Sequence, residues 1–222
     1  LIGSVGELRV GGYRGTGTAR VKVGDPDLST IDFDTGGVLT RLRFDTRDDA
    51  QFPRSGMRVD LKWNLSLPDL GADERFDTVE TEVEGTWSHG KNSWQIGALY
   101  STTLESQGAL QDLFRLGGFL RLSGLERGEI SGPHAAMARL MYFRKVSEST
   151  GGIFDVPIYL GASAELGNTW QSRSEISAGS ALFNGSLFAG FDTAIGPVYL
   201  SAGFGQGGRS NYYLFFGAPP RW

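Results

Sequence analysis

Cysteine is missing from all 222 residues, so no disulfide framework braces this fold. That argues against a small secreted domain, which commonly depends on such staples, and leaves cytosol and bacterial envelope equally open. Runs of about 18 consecutive apolar residues are missing too, which excludes a membrane-spanning helix but not a membrane barrel, whose spans are short and alternating. Neither sign of charge is in large excess: 21 basic and 25 acidic side chains leave a net charge of -4. No basic tract stands out, and no nucleic-acid partner is expected.

Catalytic signatures are equally scarce. The only histidines are His89 and His134, and neither has a second ligand at metal-binding spacing, so no metal and no cofactor are expected. A G-x-S-x-G elbow does not occur, since Gly161-Ala162-Ser163-Ala164-Glu165 lacks the final glycine. Gly203, Gly205, Gly207 and Gly208 echo a dinucleotide loop, but no helix follows them. Asp34-Thr35-Gly36 matches an aspartic-protease triplet without a second copy and reads as turn chemistry. No catalytic residue is assigned, and the chain is not expected to be an enzyme. A barrel phospholipase using His134 or His89 with a neighbouring serine is the weaker enzymatic alternative. No secretion signal is visible from Leu1 onward, so the chain reads as mature, excised or part of something longer.

What is present is glycine, 33 of 222 residues, with aromatics at 12% and only 8 prolines. Together these favour many strands with tight turns. A period of two dominates the pattern. Residues 6–14 and 17–24 read as a first hairpin, followed by an acidic connection over 24–37. Residues 38–44 set Val38, Thr40, Leu42 and Phe44 against Arg41 and Arg43. The stretch 58–67 is fully regular, with Val59, Leu61, Trp63, Leu65 and Leu67 opposed to Arg58, Asp60, Lys62, Asn64 and Ser66. Residues 76–87 set Val79, Thr81, Val83 and Trp87 against Glu80, Glu82 and Glu84. Three carboxylates on one strand face repel unless solvated or paired, and Arg58 and Lys62 offer countercharge on the neighbouring strand. A sealed soluble core could not hold this charge, whereas a water-filled or loop-plugged lumen could.

Further strands are read at 94–104, 135–146, 158–166, 178–193, 198–204 and 211–217. Trp63, Trp87, Trp94 and Tyr100 fall near span ends on the apolar face, where an interfacial girdle needs them and a β-sandwich does not. The expected fold is therefore all-β, an antiparallel transmembrane β-barrel with about eleven strands visible. Its lumen would be lined by Arg41, Arg43, Arg58, Lys62, Glu80, Glu82 and Glu84. Residues 114–133, FRLGGFLRLSGLERGEISGP, break the pattern. Five glycines and five charged side chains make a poor strand, yet the Leu and Phe content is too high for a freely solvated loop. The reading is a loop folded into the barrel.

Three segments carry a family resemblance. LGGFLRLSGLERGEISGP resembles the lumen-loop signature of the outer-membrane assembly-factor (surface-antigen) superfamily, a GG…RG(F/Y)…GP pattern. DTRDDAQFPRSG, residues 45–56, resembles that superfamily's DxRD…FPxxG turn, and LGASAELGNTW, residues 160–170, resembles its inward acid followed by glycine. The run 116–133, with GSLFAGFDTAIGPVYLSAGFG and the aromatic end, is most similar to the branch fused to patatin-like phospholipases, autotransporters of type V secretion. The resemblance covers roughly residues 37–222.

It implies a barrel of sixteen strands, of which residues 1–222 would be the C-terminal part, with 105–133 an extracellular loop lying in the lumen. Its loop motif would be Gly117, Gly118, Ser123, Gly124, Leu125, Gly132 and Pro133. Ser123 stands where the family has arginine, and Leu125 where it has an aromatic residue. The family's arginine meets an inward acid, here Glu165, so that ion pair cannot form; Arg121 or Arg127 is the candidate substitute. Tyr213, Phe215 and Trp222 would form a C-terminal assembly signal, or simply an ordinary lipid-facing strand. The function implied is anchoring and translocation of a fused patatin-like passenger in the outer membrane of a Gram-negative bacterium. A stand-alone insertase or a two-partner secretion transporter is the alternative. Outer-membrane lipids, the barrel assembly machinery and the passenger would be partners, with a homodimer also allowed.

Overall fold

In the computed structural model, residues 5–19, 31–106, 113–147 and 156–217 are described. Alternation is realised as β1 (Gly6–Ala19), β2 (Ile31–Asp45), β3 (Gly56–Ser66), β4 (Phe76–His89), β5 (Asn92–Ser106), β6 (Phe114–Leu116), β7 (Ile130–Gly132), β8 (His134–Lys145), β9 (Ile158–Trp170), β10 (Leu182–Thr193), β11 (Gly196–Gly205) and β12 (Arg209–Phe216). Among the described residues, ten of these make one antiparallel sheet in the order β1-β2-β3-β4-β5-β8-β9-β10-β11-β12. The other two, β6 and β7, pair with each other inside the segment that links β5 to β8. The segment read as an unbroken loop thus contains a small hairpin of its own.

The N-terminal reading needs correction. No hairpin breaks residues 6–19: β1 is one strand, matched to β2 from Gly6 opposite Phe44 to Ala19 opposite Ile31. Residues 31–37 are strand rather than connection, and Asp34 sits opposite Thr16 within the ladder instead of in a turn. Residues 20–30 lie outside the described part. Glycines at 11, 12, 15 and 17 look like punctuation, but glycine keeps its amide and carbonyl and the ladder runs through it. The strand read from 178 begins at Leu182, after a 3-10 turn over Ala178–Ser180 capped by the Ser177 hydroxyl, which accepts from the Ser180 amide.

One face of the sheet is apolar and open. Leu61 is 38% and Trp63 41% exposed, with Leu140, Leu160, Leu187, Leu200 and Leu214 likewise outward. No second sheet covers Val59, Leu61, Trp63 and Leu65 among the described residues. Near one end of this face Trp87 and Trp94 stack with ring centroids 6.5 Å apart, and Tyr142 lies 5.4 Å from Trp94. Trp63 belongs to a second level. It faces Val79, which faces Thr102, eight positions along β5 from Trp94. At ~3.3 Å per residue that separation is roughly 26 Å along the strand, comparable to the apolar band of an outer-membrane barrel. No helix among the described residues is long and apolar enough to cross a membrane.

The other face is polar and covered. Arg58, Asp60, Glu82, Glu84, Gln95, Arg139 and Glu165 are buried there, beneath the β5–β8 segment, whose Leu116, Phe119, Leu120, Leu122 and Leu125 are buried too.

Candidate functional site

Strand pairing brings the predicted inward charges together on one face, where they form neighbouring ion-pair groups. Asp60 on β3 accepts both Nε and Nη2 of Arg41 at 2.7 Å, with Arg43 Nε at 3.0 Å and Arg58 Nη2 at 3.1 Å. Arg58 also meets Glu82 at 3.4 Å, and Lys62 meets Glu80 at 2.6 Å. Glu84 is shared by Arg47 at 3.2 Å, Gln95 at 2.8 Å and Arg139 at 3.1 Å. Arg139, on β8, completes the path by donating to the Leu120 carbonyl at 3.0 Å. Charge buried at this density persists because each ion has a countercharge or a hydrogen bond, and the last bond ends on the loop.

The loop is shaped by its glycines and seated by its serine. Gly117 and Gly118 take φ of 122° and 110°, backbone that other residues rarely adopt, and their amides donate to the carbonyls of Arg121 and Leu125. Leu120 and Leu122 hold φ of 60° and 71°, costing roughly 1–3 kcal/mol each, and the surrounding bonds must impose that shape. The Leu120 amide donates to Ser123 Oγ at 2.9 Å. Ser123 in turn donates its amide to Glu165 Oε2 at 2.6 Å and its hydroxyl to Glu165 Oε1 at 2.7 Å, and Ser163 adds a third bond at 2.6 Å.

Here the expectation of a substitute arginine is corrected. Serine at this position does not leave the inward acid stranded, because an amide and two hydroxyls hold it directly. The Arg121 guanidinium is directed to the Arg115 carbonyl at 3.1 Å, and Arg127 is exposed.

Gly124 lies where the loop touches the wall. Its amide donates to Asn184 Oδ1 at 3.1 Å, and a Cβ there would fall 2.5 Å from that oxygen and onto the backbone of Gly205. A Cβ on Gly203 would land on the Ser123 carbonyl. Of the glycines that echoed a nucleotide loop, Gly203 and Gly205 are therefore a bare patch of wall that admits the loop backbone, while Gly207 and Gly208 turn the chain into β12 with φ of 75° and 76°. Leu125 packs with Leu99, Leu116, Leu122 and Met137. At the loop's exit Gly132 runs close to β9, where a Cβ would stand 2.8 Å from the Trp170 carbonyl, and the Pro133 carbonyl accepts from the Thr103 amide at 2.9 Å. An Arg–Glu ion pair also staples the loop's far side, where Glu129 meets Arg209.

The alternative reading of Tyr213 and Phe215 as part of an ordinary lipid-facing strand is corrected as well. Tyr213 and Phe215 do not face lipid: the Tyr213 hydroxyl donates to the carbonyls of Ser123 at 2.9 Å and Leu125 at 2.7 Å, and Phe215 packs on the interior aromatic cluster. Tyr212, Leu214 and Phe216 point outward. Trp222 lies outside the described residues. Sequence reasoning missed Arg139, Asn184 and Phe52 as partners of the loop and its seat; only the paired charge pattern of β3 and β4 hinted that a further inward cation was needed. His134 Nδ1 is 2.8 Å from Thr102 Oγ1.

Two comparisons bear on this geometry. The family model described as the Omp85 superfamily domain matches residues 13–205. Among solved structures, the crystal structure of BamA from Haemophilus ducreyi lacking POTRA domains 1–3 is similar, with a TM-score of 0.74 and 14% identity. The match covers 96% of this chain and 51% of that one, so the chain spans about half the length of that structure. At this identity the likeness speaks for the fold alone. No curated protein matches.

Proposed function

This chain belongs to the Omp85 superfamily of outer-membrane β-barrels, and from that premise we propose that it is the C-terminal part of a translocator barrel whose passage is occupied by its own loop. The observation carrying this reading is the Ser123–Glu165 clamp. A loop held to the inner wall by a buried carboxylate, with glycines cleared on both surfaces for contact, is built to lie inside. The apolar outer face then meets lipid, and the loop-bearing end is extracellular.

The finer reading is that the barrel anchors and exports a fused patatin-like passenger, with its lipase chemistry outside this chain. The resemblance of residues 116–133 and 185–205 to that branch supports it. The barrel assembly machinery would insert the chain, and a second copy could share the membrane. A stand-alone insertase is the competing reading, favoured by the likeness to BamA. The parent reading frame separates them, since a patatin domain upstream predicts the first and periplasmic repeats alone predict the second.

The test of the shared claim is Gly124→Val in the full-length protein. Its side chain would collide with Gly205 and Asn184, so heat-modifiable migration and surface display are expected to fall sharply. Normal migration and display of this variant would contradict the inward-loop reading.

A further inference from the structure

The turn between β2 and β3 does more than reverse the chain. It sits at the end of the sheet opposite the loop, yet its Phe52 is 5% exposed, buried against strands that lie on the far side of the sheet order. Phe52 stacks on Tyr159 of β9 with centroids 4.0 Å apart and planes at 7°, and it lies 5.5 Å from Tyr199 of β11 and 6.1 Å from Phe143 of β8. Room for the ring is made on β10, where a Cβ on Gly190 would stand 2.9 Å from Phe52 Cε1 and Cζ.

The turn is built to present this side chain. Asp49 Oδ1 accepts the amides of Gln51 at 2.7 Å and Phe52 at 2.8 Å, Asp48 holds the amides of Arg54 and Ser55, and Arg47 ties the segment to Asp45 and Glu84. From the other end comes Phe119 of the loop, 5.6 Å from the same Tyr199, 5.9 Å from Phe188 and 6.1 Å from Tyr213. Tyr199 is thus shared by two rings that enter from opposite ends. Both belong to one buried cluster, completed by Leu120, Met141 and Phe143.

We infer that Phe52 is the second half of the plug: it enters from the mouth opposite the loop, braces Phe119 through Tyr199, and closes the interior with a dry aromatic layer. Apolar constrictions of this kind block ions by excluding water rather than by filling every void. Ring pairs in such a layer also stabilise one another beyond their burial. Removing Phe52 therefore loosens the loop from below, although it touches none of the loop's hydrogen bonds.

This rests on the barrel reading above, and the experiment separates the two. The full-length protein is reconstituted in planar bilayers, and resting conductance is compared for wild type, Phe52→Ala and Gly190→Ala, the last displacing the ring without altering it. In parallel, maleimide labelling is followed at Leu122→Cys, a position fully buried in a chain without other cysteines. Both Phe52→Ala and Gly190→Ala are expected to raise conductance several-fold and to expose the thiol, with heat-modifiable migration retained. Unchanged conductance and labelling in either assembled variant would overturn the inference. So would failure of Phe52→Ala to assemble, because a plug residue outside the strand ladder must be removable without loss of the barrel. If wild type itself does not insert, the barrel reading fails instead.

Discussion

Glu165 shows how a single carboxylate can organise a loop. It is 1% exposed, and its three donors come from Ser123 and Ser163. Hydrogen bonds to a charged group are worth roughly 1.5–3 kcal/mol, and a buried acceptor that loses one is not compensated by water. Ser123→Ala is expected to lower the urea concentration at which the loop becomes protease-sensitive. Combined with Glu165→Gln, it should cost less than the sum of the single changes, because both remove the same bond. Strict additivity would show that the contact carries no coupling. Asp48 tests a different residue-scale claim. Partial desolvation acts to raise its pKa, but the amides of Arg54 and Ser55 outweigh this and hold the carboxyl below the usual aspartate range. A depressed folded-state value means the stabilisation is present above the unfolded pKa and lost as pH falls through the folded one. The turn should stay closed at neutral and mildly acidic pH and loosen only below the ordinary aspartate range. Amide chemical shifts of Arg54 and Ser55, titrated with pH, check this; Asp48→Asn should abolish the acid transition.

At the scale of the element, legibility followed the period of two. Over residues 58–67 and 77–87, β3 and β4 have apolar side chains on one face only, so the faces of Arg58, Lys62, Glu80, Glu82 and Glu84 could be read directly, and the Lys62–Glu80 pair follows from the register. β12 could not be read so. Apolar residues occupy both its faces, and only pairing with β11, Tyr213 opposite Ser201, shows that Tyr213 and Phe215 turn inward. β1 was misread because glycine carries no side-chain pattern; the resemblance set Ser123 against Glu165, but the serine's own bonds to that acid and the part played by Asn184 emerge only once β9 and β10 are in place. The outward face of β10 gives the sharpest test at this scale. Leu187 is 60% exposed, and in a water-soluble protein its replacement by Arg would be nearly neutral. Facing lipid, Leu187→Arg should cost about 2–4 kcal/mol, read from the urea midpoint of folding into vesicles. A shift near zero would mean that this face meets water.

For the whole molecule, a single alternation has two consequences. The apolar face needs a hydrocarbon solvent, and the ionic face needs an enclosed interior with countercharge and a loop to cover it. The all-β antiparallel sheet was legible because it follows from that division; about eleven strands were expected and ten lie in the main sheet among the described residues, the expected first hairpin being one strand. What was not legible is how segments from the two ends, around Phe52 and Phe119, converge in one aromatic layer, since nothing local in either signals the other. The most direct test of the two-faced sheet is spin labelling, one site at a time, over residues 183–191 of the full-length protein in lipid vesicles. Oxygen accessibility should be high at 183, 185, 187, 189 and 191 and low at 184, 186, 188 and 190. Equal accessibility along the strand, or nickel-complex accessibility at the outward positions, would contradict a sheet that faces lipid.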